Sequence, residues 1–476
     1  MSEFIGRTRE IGQLRQTLNN KKSTITIIYG RRRVGKSELI RKALEGRKAI
    51  YFEGLENQSK SHQILNFSSQ LSFQTKKEFV KKTLGESPLK NWREAFKELL
   101  DVCQGGETVI VFDEFQWMAN YRSEIVSDLK MVWEQYLSRS GQIHLVLCGS
   151  IASFMIKKVI RSKALFGRTD LEIHLKPFSI SETKEMLGSR SDSEILEAYM
   201  LVGGIPKYLE LLGQKTSIHA AMQELGFTPH GYFTEEYNRI FVSHFGENHD
   251  FQKIVESLAH HPYGLNRFQI SRLSKIQLGG GLTSQLYDLE MAGFIQSYLP
   301  FHKSKNSKQV LYCLKDAYMR FYFSFIKSLL KKIEGELGDI FYRITQTPAY
   351  LSWLGQSFEY LCMDHAKKIS QILGFSGIDY SYGPYFEGGG KDKKGIQIDL
   401  LFDRADHVLN LCEIKYTRKK PGIEIIEETE KKVALVESKT RKTIQKILIT
   451  KTEPSEDLVR TNYFYKIILA GELMAS

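Results

Sequence analysis

"TITIIYGRRRVGKSELIRKAL", residues 24–44, places a β-branched strand before a glycine-bounded turn and a helix. Gly30, Gly35, Lys36 and Ser37 fit the GxxxxGK[ST] pattern in the strand–loop–helix setting that the pattern requires. The chemistry follows from that setting. Backbone N–H groups from Gly30 through Arg31, Arg32, Arg33, Val34 and Gly35, with the helix N-terminus, would face phosphates. Lys36 adds positive charge, and the Ser37 hydroxyl is a ligand for Mg²⁺. A nucleotide site binding ATP is the expectation.

Such a site needs acidic groups at the end of a second apolar strand. "TVIVFDEFQWM" (108–118) supplies Asp113 to hold Mg²⁺ through water and Glu114 to orient and deprotonate the attacking water. A third strand, "IHLVLCGS" (143–150), ends in Ser150, a polar group able to contact the γ-phosphate or the water. "ALFGRTD" (164–170) follows with Arg168, whose planar and permanent charge suits a transferring phosphoryl group, on its own or a neighbouring subunit's nucleotide. An ordinary surface arginine is the alternative. "LVGGIPKYLEL" (201–211) breaks one helix at Gly203 and Gly204 and opens another at Pro206, which suits a helical lid.

A chain of 476 residues exceeds one core and should divide into three or four domains. Its 42% hydrophobic and 26% charged content is ordinary for a soluble protein. "MSEFIGRTRE" has no apolar h-region, and no apolar run approaches the ~20 residues of a membrane span. A cytoplasmic protein without a membrane partner is expected. Cys103, Cys148, Cys313, Cys362 and Cys412 lack metal-ligand spacing and read as reduced core thiols. The formal net charge of +12 suits a polyanionic partner, though a diffuse excess says little of which.

Residues 250–314 carry three short helical patterns and two strand-like runs around "HKSKNSK", the layout of a winged helix. Thr283 is expected to cap the third helix, with Leu286, Leu289 and Met291 facing its core. Lys303, Lys305 and Lys308 at the wing would meet phosphates. Asp288 and Glu290 on the third helix would repel them, so DNA contact and protein packing both stand as readings. Tyr318, Phe321, Tyr322 and Phe325 make a broad apolar helix face, read as domain glue. The pair His260–His261 sits in a helix-ending turn and is a poor metal site.

After residue 345 the pattern reads helix (350–372), strand (377–383), strand (396–403), strand (408–416), helix (423–438), strand (444–450). "QIDLLFD" and "VLNLCEIKY" flank the short turn "RADH", a hairpin arrangement. A turn centred near Asp406 sets Asp399 opposite Glu413, and alternation puts Lys415 on the same face. Two carboxylates about 5 Å apart repel by about 3 kcal/mol at an effective dielectric of about 20. Lys415 alone offsets that in a partly buried charge cluster. With Mg²⁺ on Asp399 and Glu413 instead, the site would bind a scissile phosphate and lower the pKa of a bound water, which Lys415 would orient. Glu359, on the apolar-rich helix "WLGQSFEYLC" (353–362), is a candidate further ligand.

The ordered motifs "FIGRTREIGQL", "YGRRRVGKS", "VFDEFQWM", "LCGS", "LFGRTDLEIHLKPFS" and "GGIPKYLE" resemble the archaeal-type ATPase family, a branch of the AAA+/STAND P-loop NTPases. The resemblance implies Gly6 and Arg7 near the adenine and Pro206 in a nucleotide-sensing lid. An aspartate before an aromatic helix at 314–331 continues it. Glu359, Asp399 and Glu413-x-Lys415, in a helix–three strands–helix–strand order, resemble the PD-(D/E)XK nuclease superfamily. The expected fold is α/β: a P-loop NTPase core (1–175), helical lid (176–240), winged helix (241–315), connecting helices (316–345) and a restriction-endonuclease-like domain (346–476). The expected function is an ATP-hydrolysing protein acting on nucleic acid, double-stranded DNA foremost, with Mg²⁺-dependent cleavage at the far end. Homo-oligomers with arginine supplied in trans fit this reading. The competing reading is a nucleotide-switched regulator whose nuclease-like domain binds without cutting.

Overall fold

The computed structural model describes residues 4–76, 89, 91–103, 106–119, 124–139, 141–246, 248–300, 310–335, 338–387 and 396–475. The chain divides into two compact units, Met1–Pro177 and Phe178–Ser476.

The first unit is built on a five-stranded sheet. Its strands are β1 (Thr24–Tyr29), β2 (Ala49–Glu53), β3 (Thr108–Asp113), β4 (Ile143–Gly149) and β5 (Leu171–His174), in the spatial order β2-β3-β4-β1-β5. Every pairing is parallel. Parallel sheets are covered on both faces, which is why β3 and β4 read as near-continuous apolar runs, and why Thr24 and Thr26, alternating with isoleucines in β1, are buried too. One face packs on aromatics: Phe52 stacks on Phe67 at 4.3 Å, and Trp92 and Phe96 close the cluster. All three polar motifs therefore emerge at the carboxyl ends of neighbouring strands, where open α/β sheets bind ligands.

The second unit begins with helices Ile180–Leu187, Asp192–Val202 and Pro206–Gly213. The expected break falls between the last two, where the backbone of Gly204 lies against Phe178; a Cβ there would meet the Phe178 carbonyl oxygen at 1.9 Å. Helices Asp250–Ala259, Arg267–Ser274 and Gly280–Met291 precede the antiparallel pair β6 (Ile295–Tyr298) and β7 (Leu311–Leu314). Thr283 does not cap the third helix. That helix starts at Gly280 after Gly279, and the Thr283 hydroxyl donates back to the Gly279 carbonyl from inside the first turn. Leu286 and Leu289 are buried and Met291 is half-buried, whereas Lys303, Lys305 and Lys308 lie outside the described residues. Tyr318, Phe321, Tyr322 and Phe325 are buried in an aromatic core, with Tyr322 stacked on Tyr237 at 4.6 Å.

A second five-stranded sheet, ordered β12-β11-β10-β9-β8, contains β8 (Tyr380–Glu387), β9 (Ile396–Arg404), β10 (Val408–Lys415), β11 (Thr443–Thr450) and β12 (Lys466–Leu469). β8, β9 and β10 run antiparallel to their neighbours, and β10, β11 and β12 are parallel. The helix Glu424–Glu437 makes the crossover between β10 and β11 that a parallel pair needs. The single helix expected over 350–372 is two, Pro348–Asp364 and Ala366–Ile372. They part at buried His365, whose Nδ1 lies 2.8 Å from the Leu361 carbonyl while Nε2 accepts the Ile180 N–H at 3.0 Å. All five cysteines are buried and unpaired. No helix among the described residues is long and apolar enough to cross a membrane.

Candidate functional sites

At the end of β1 the chain turns at Gly30, where φ is 154° and an added Cβ would meet the Leu175 carbonyl oxygen at 2.2 Å, so a side chain is excluded. Gly35 stands at φ 87° with open space where a Cβ would project, so its backbone conformation selects glycine there. Directly after Gly35, Lys36 is buried, its ammonium donating to the carbonyls of Gly30 and Arg31 at 3.1 Å each. Ser37 Oγ donates to Asp113 Oδ2 at 2.6 Å. Hydroxyl and carboxylate thus meet within reach of one small cation, a hard-oxygen donor pair that fits Mg²⁺ beside a polyphosphate. Glu53, in register with Asp113, has its carboxyl raised by burial and by the charges of Asp113 and Glu114. An added cation would relieve that crowding.

Glu114 adopts left-handed backbone angles, φ 49° and ψ 43°, just past the strand. Its carboxylate accepts from Ser150 Oγ at 2.7 Å and from the amide of Gln116, which also reaches Ser150. Ser150 therefore touches the candidate base itself. Gln116 was not legible as a site residue; its one sequence signal is a buried-pattern amide two residues past an acidic pair. Arg7 is buried, donating to the carbonyls of Lys176 at 2.6 Å and Val34 at 3.4 Å, which ties the N-terminal segment to the phosphate loop. Arg168 pairs with Glu134 of its own unit, Nε to Oε1 at 2.6 Å. Pro206 opens its helix as the first residue.

In the second sheet the β9–β10 ladder runs from Leu409↔Asp403 to Cys412↔Leu400. One step further sets Asp399 opposite Glu413, as the hairpin reading expected. Both are buried. Glu413 takes two ammonium groups: Lys415 Nζ at 2.8 Å on one oxygen and Lys432 Nζ at 2.7 Å on the other. Lys432 also stands 3.8 Å from Asp399, whose second oxygen accepts the Ile414 N–H at 3.0 Å. The two acids therefore converge on one cationic centre, which the Lys432 ammonium takes, and both supply hard carboxylate oxygens, the donor type that Mg²⁺ prefers. Glu359 is linked only through Gln397, whose amide lies 3.3 Å from Glu359 and 3.4 Å from Asp399. Among the described residues no group of three or more His, Cys, Asp or Glu is arranged to hold one metal ion, so Glu359 does not join the other two as a ligand.

Electrostatics follow burial. The Glu359 carboxyl is pushed up to about 8, by burial first and then by Asp399. Burial lifts Asp399 to about 6 against the pull of Lys432. Burial works against the charged form of Lys432, yet Asp399 and Glu413 carry it above its ordinary value. Lys432 carries only a weak signal in the sequence. Its signal is a lysine on the buried stripe Ile425, Thr429, Lys432, Val433, Val436 of an otherwise amphipathic helix.

Residues 4–212 match the family model described as an ATPase domain predominantly from Archaea. They are an archaeal-type ATPase domain. An uncharacterized protein of Methanocaldococcus jannaschii is 27% identical over 341 residues, spanning 71% of this chain and 72% of its own length. An uncharacterized ATP-binding protein of the same organism is 47% identical over 45 residues, 10% of this chain and 76% of that one. Among solved structures, a Walker-type ATPase of Pyrococcus abyssi overlays with a TM-score of 0.49 at 22% identity, covering 67% of this chain and 96% of that one.

Proposed function

We propose that the chain is an ATP hydrolase acting on nucleic acid, and that its C-terminal sheet carries a metal-dependent phosphodiester-cleaving centre. The observation that carries the second half is the convergence of Asp399 and Glu413 on one cation beside Lys415.

In the ATPase domain Lys36, anchored on two loop carbonyls, offers its charge to the β- and γ-phosphates. Ser37 and Asp113 would hold Mg²⁺, which when bound neutralises charge on the phosphates. Ser150 and Gln116 fix the Glu114 carboxylate so that it can align water and take its proton. Arg7, at the Val34 end of the loop, would lie on the base side of the nucleotide. Arg168 would release Glu134 to serve a neighbouring copy's nucleotide.

At the C-terminal centre Asp399 and Glu413 would hold a divalent ion, whose Lewis acidity activates a phosphodiester. Lys415 would place water and stabilise charge as it develops. Lys432 would withdraw from its shared position on ion binding. The helices 250–291 and the β6–β7 pair support a winged-helix reading, and duplex DNA is the partner that this module would take.

The test is Mg²⁺-dependent cleavage of DNA by the full chain. Loss of cutting in Asp399→Ala and Lys415→Ala, with ATP turnover intact, is expected; cutting unchanged in both assigns it elsewhere. A nucleotide-switched regulator that binds without cutting is the second reading, favoured by the Lys432 ammonium in the shared position.

A further inference from the structure

The second unit holds a cavity of about 650 Å³ whose wall includes Lys415, the lysine that also contacts Glu413. Arg418, Lys419, Lys420 and Lys451 line it as well. Three acids are present, and each is engaged from within the chain. Glu428 pairs with Lys415 at 3.0 Å, Glu424 accepts the Gly422 N–H at 3.1 Å, and Glu197 accepts from Tyr350 at 2.5 Å and contacts His219 at 2.9 Å. Arg418, Lys419, Lys420 and Lys451 form no ion pair among the described residues. Lys451 has only the Tyr416 hydroxyl, at 3.2 Å, and that ring's face, 4.6 Å from its centroid. Burial holds its ammonium below the ordinary value even with Glu197 near. The cavity is short of negative charge.

Its basic loop is built rather than loose. The Thr417 and Thr452 hydroxyls donate to the Lys419 carbonyl at 2.5 and 3.2 Å, and the Ser455 N–H donates to the Pro421 carbonyl at 2.8 Å. Tyr350, Leu351, Leu354 and Tyr416 add apolar wall against which a base can lie. The volume is that of a small-ligand cleft, of roughly 300–1,000 Å³. A duplex, whose major groove alone is about 12 Å across, does not enter such a space.

We infer that this cavity seats an unpaired nucleic-acid strand, its phosphates on Arg418, Lys419, Lys420 and Lys451, and that Lys415 joins that seat to the Asp399–Glu413 centre. The inference deepens the cleavage reading and rests on it for what the bound strand is presented to.

The experiment uses the full chain in EDTA, with fluorescence anisotropy of a labelled twelve-nucleotide DNA strand and of its blunt duplex. The variant Arg418→Glu/Lys419→Glu/Lys420→Glu should bind the strand at least about tenfold more weakly, and the salt slope of strand binding should shrink by about 2. Duplex binding should change less than twofold, and ATP turnover, the check on folding, should not change. Lys451→Met should weaken the strand in the same direction. Strand affinity unaltered by the triple variant, or strand and duplex weakened alike, overturns the inference. Competition by 5′-AMP as effective as by the strand also overturns it, in favour of a mononucleotide pocket. Mg²⁺-dependent cutting abolished by Asp399→Ala is scored separately, so a failed cavity and a failed cleavage centre give different results.

Discussion

Single side chains decide what each site can do. Glu114, the proposed base, is held by hydrogen bonds from Ser150 and Gln116, and its backbone just past the strand is left-handed. Glu114→Gln should keep ATP affinity within a few-fold and lower turnover at least about a hundredfold, the lower end of what a positioned base contributes. Steady-state hydrolysis beside nucleotide binding by calorimetry reads both, and wild-type turnover would remove the base assignment. Lys36→Ala should abolish nucleotide binding in the same measurement. Glu359 gives a pH signature. Its carboxyl, about 8 in the folded chain against 4.5 ordinarily, favours the fold below about 4.5, and that advantage disappears as pH climbs through 8. Glu359→Gln should therefore raise the melting temperature over wild type by a few degrees at pH 8.5 and little at pH 5. An equal shift at both values would mean that the carboxyl is not perturbed.

Elements bring groups together that no local pattern connects. The crossover helix Glu424–Glu437 delivers Lys432 to Glu413 across 19 residues of chain. Removing one partner of a buried pair costs about 3–5 kcal/mol, because a bare charge remains. Lys432→Met should thus melt earlier than wild type in EDTA and recover in Mn²⁺ without nucleotide, with Mn²⁺ bound more tightly than by wild type. Thermal shift with and without the ion reads this, and no Mn²⁺ response in either protein would show that the two acids do not share an ion. The junction at Gly204 is as exacting. Gly204→Ala drives a methyl into the Phe178 carbonyl, so the unfolding midpoint should drop by several degrees, from a cost of about 2 kcal/mol.

At the scale of the molecule, the proposed service of Arg168 on a neighbouring copy's nucleotide makes a prediction about protein concentration. Arg168 is paired with Glu134 in its own chain, so service in trans requires that pair to open. If it does, specific ATPase activity should climb with protein concentration and Arg168→Ala should lose on the order of a thousandfold. Activity independent of concentration, with Arg168→Ala unaffected, would leave the arginine a surface partner of Glu134.

The strands and motif order were legible because both are local. Apolar runs buried on two faces, glycines at strand ends and an acidic pair where a strand stops announce themselves within a dozen residues. The β9–β10 register followed from the same logic: a short turn and period-two alternation determined which acid faces which. The amino-acid sequence by itself thus determined the ATP-binding end and the meeting of Asp399, Glu413 and Lys415. Only the tertiary structure decided that Lys432 takes the shared cation position, that Glu359 stays apart behind Gln397, and that Ser150 and Gln116 both grip Glu114. Those outcomes depend on how helices lie on sheets, where side chains distant in sequence compete for the same few ångströms, and no periodicity along the chain encodes which of them wins.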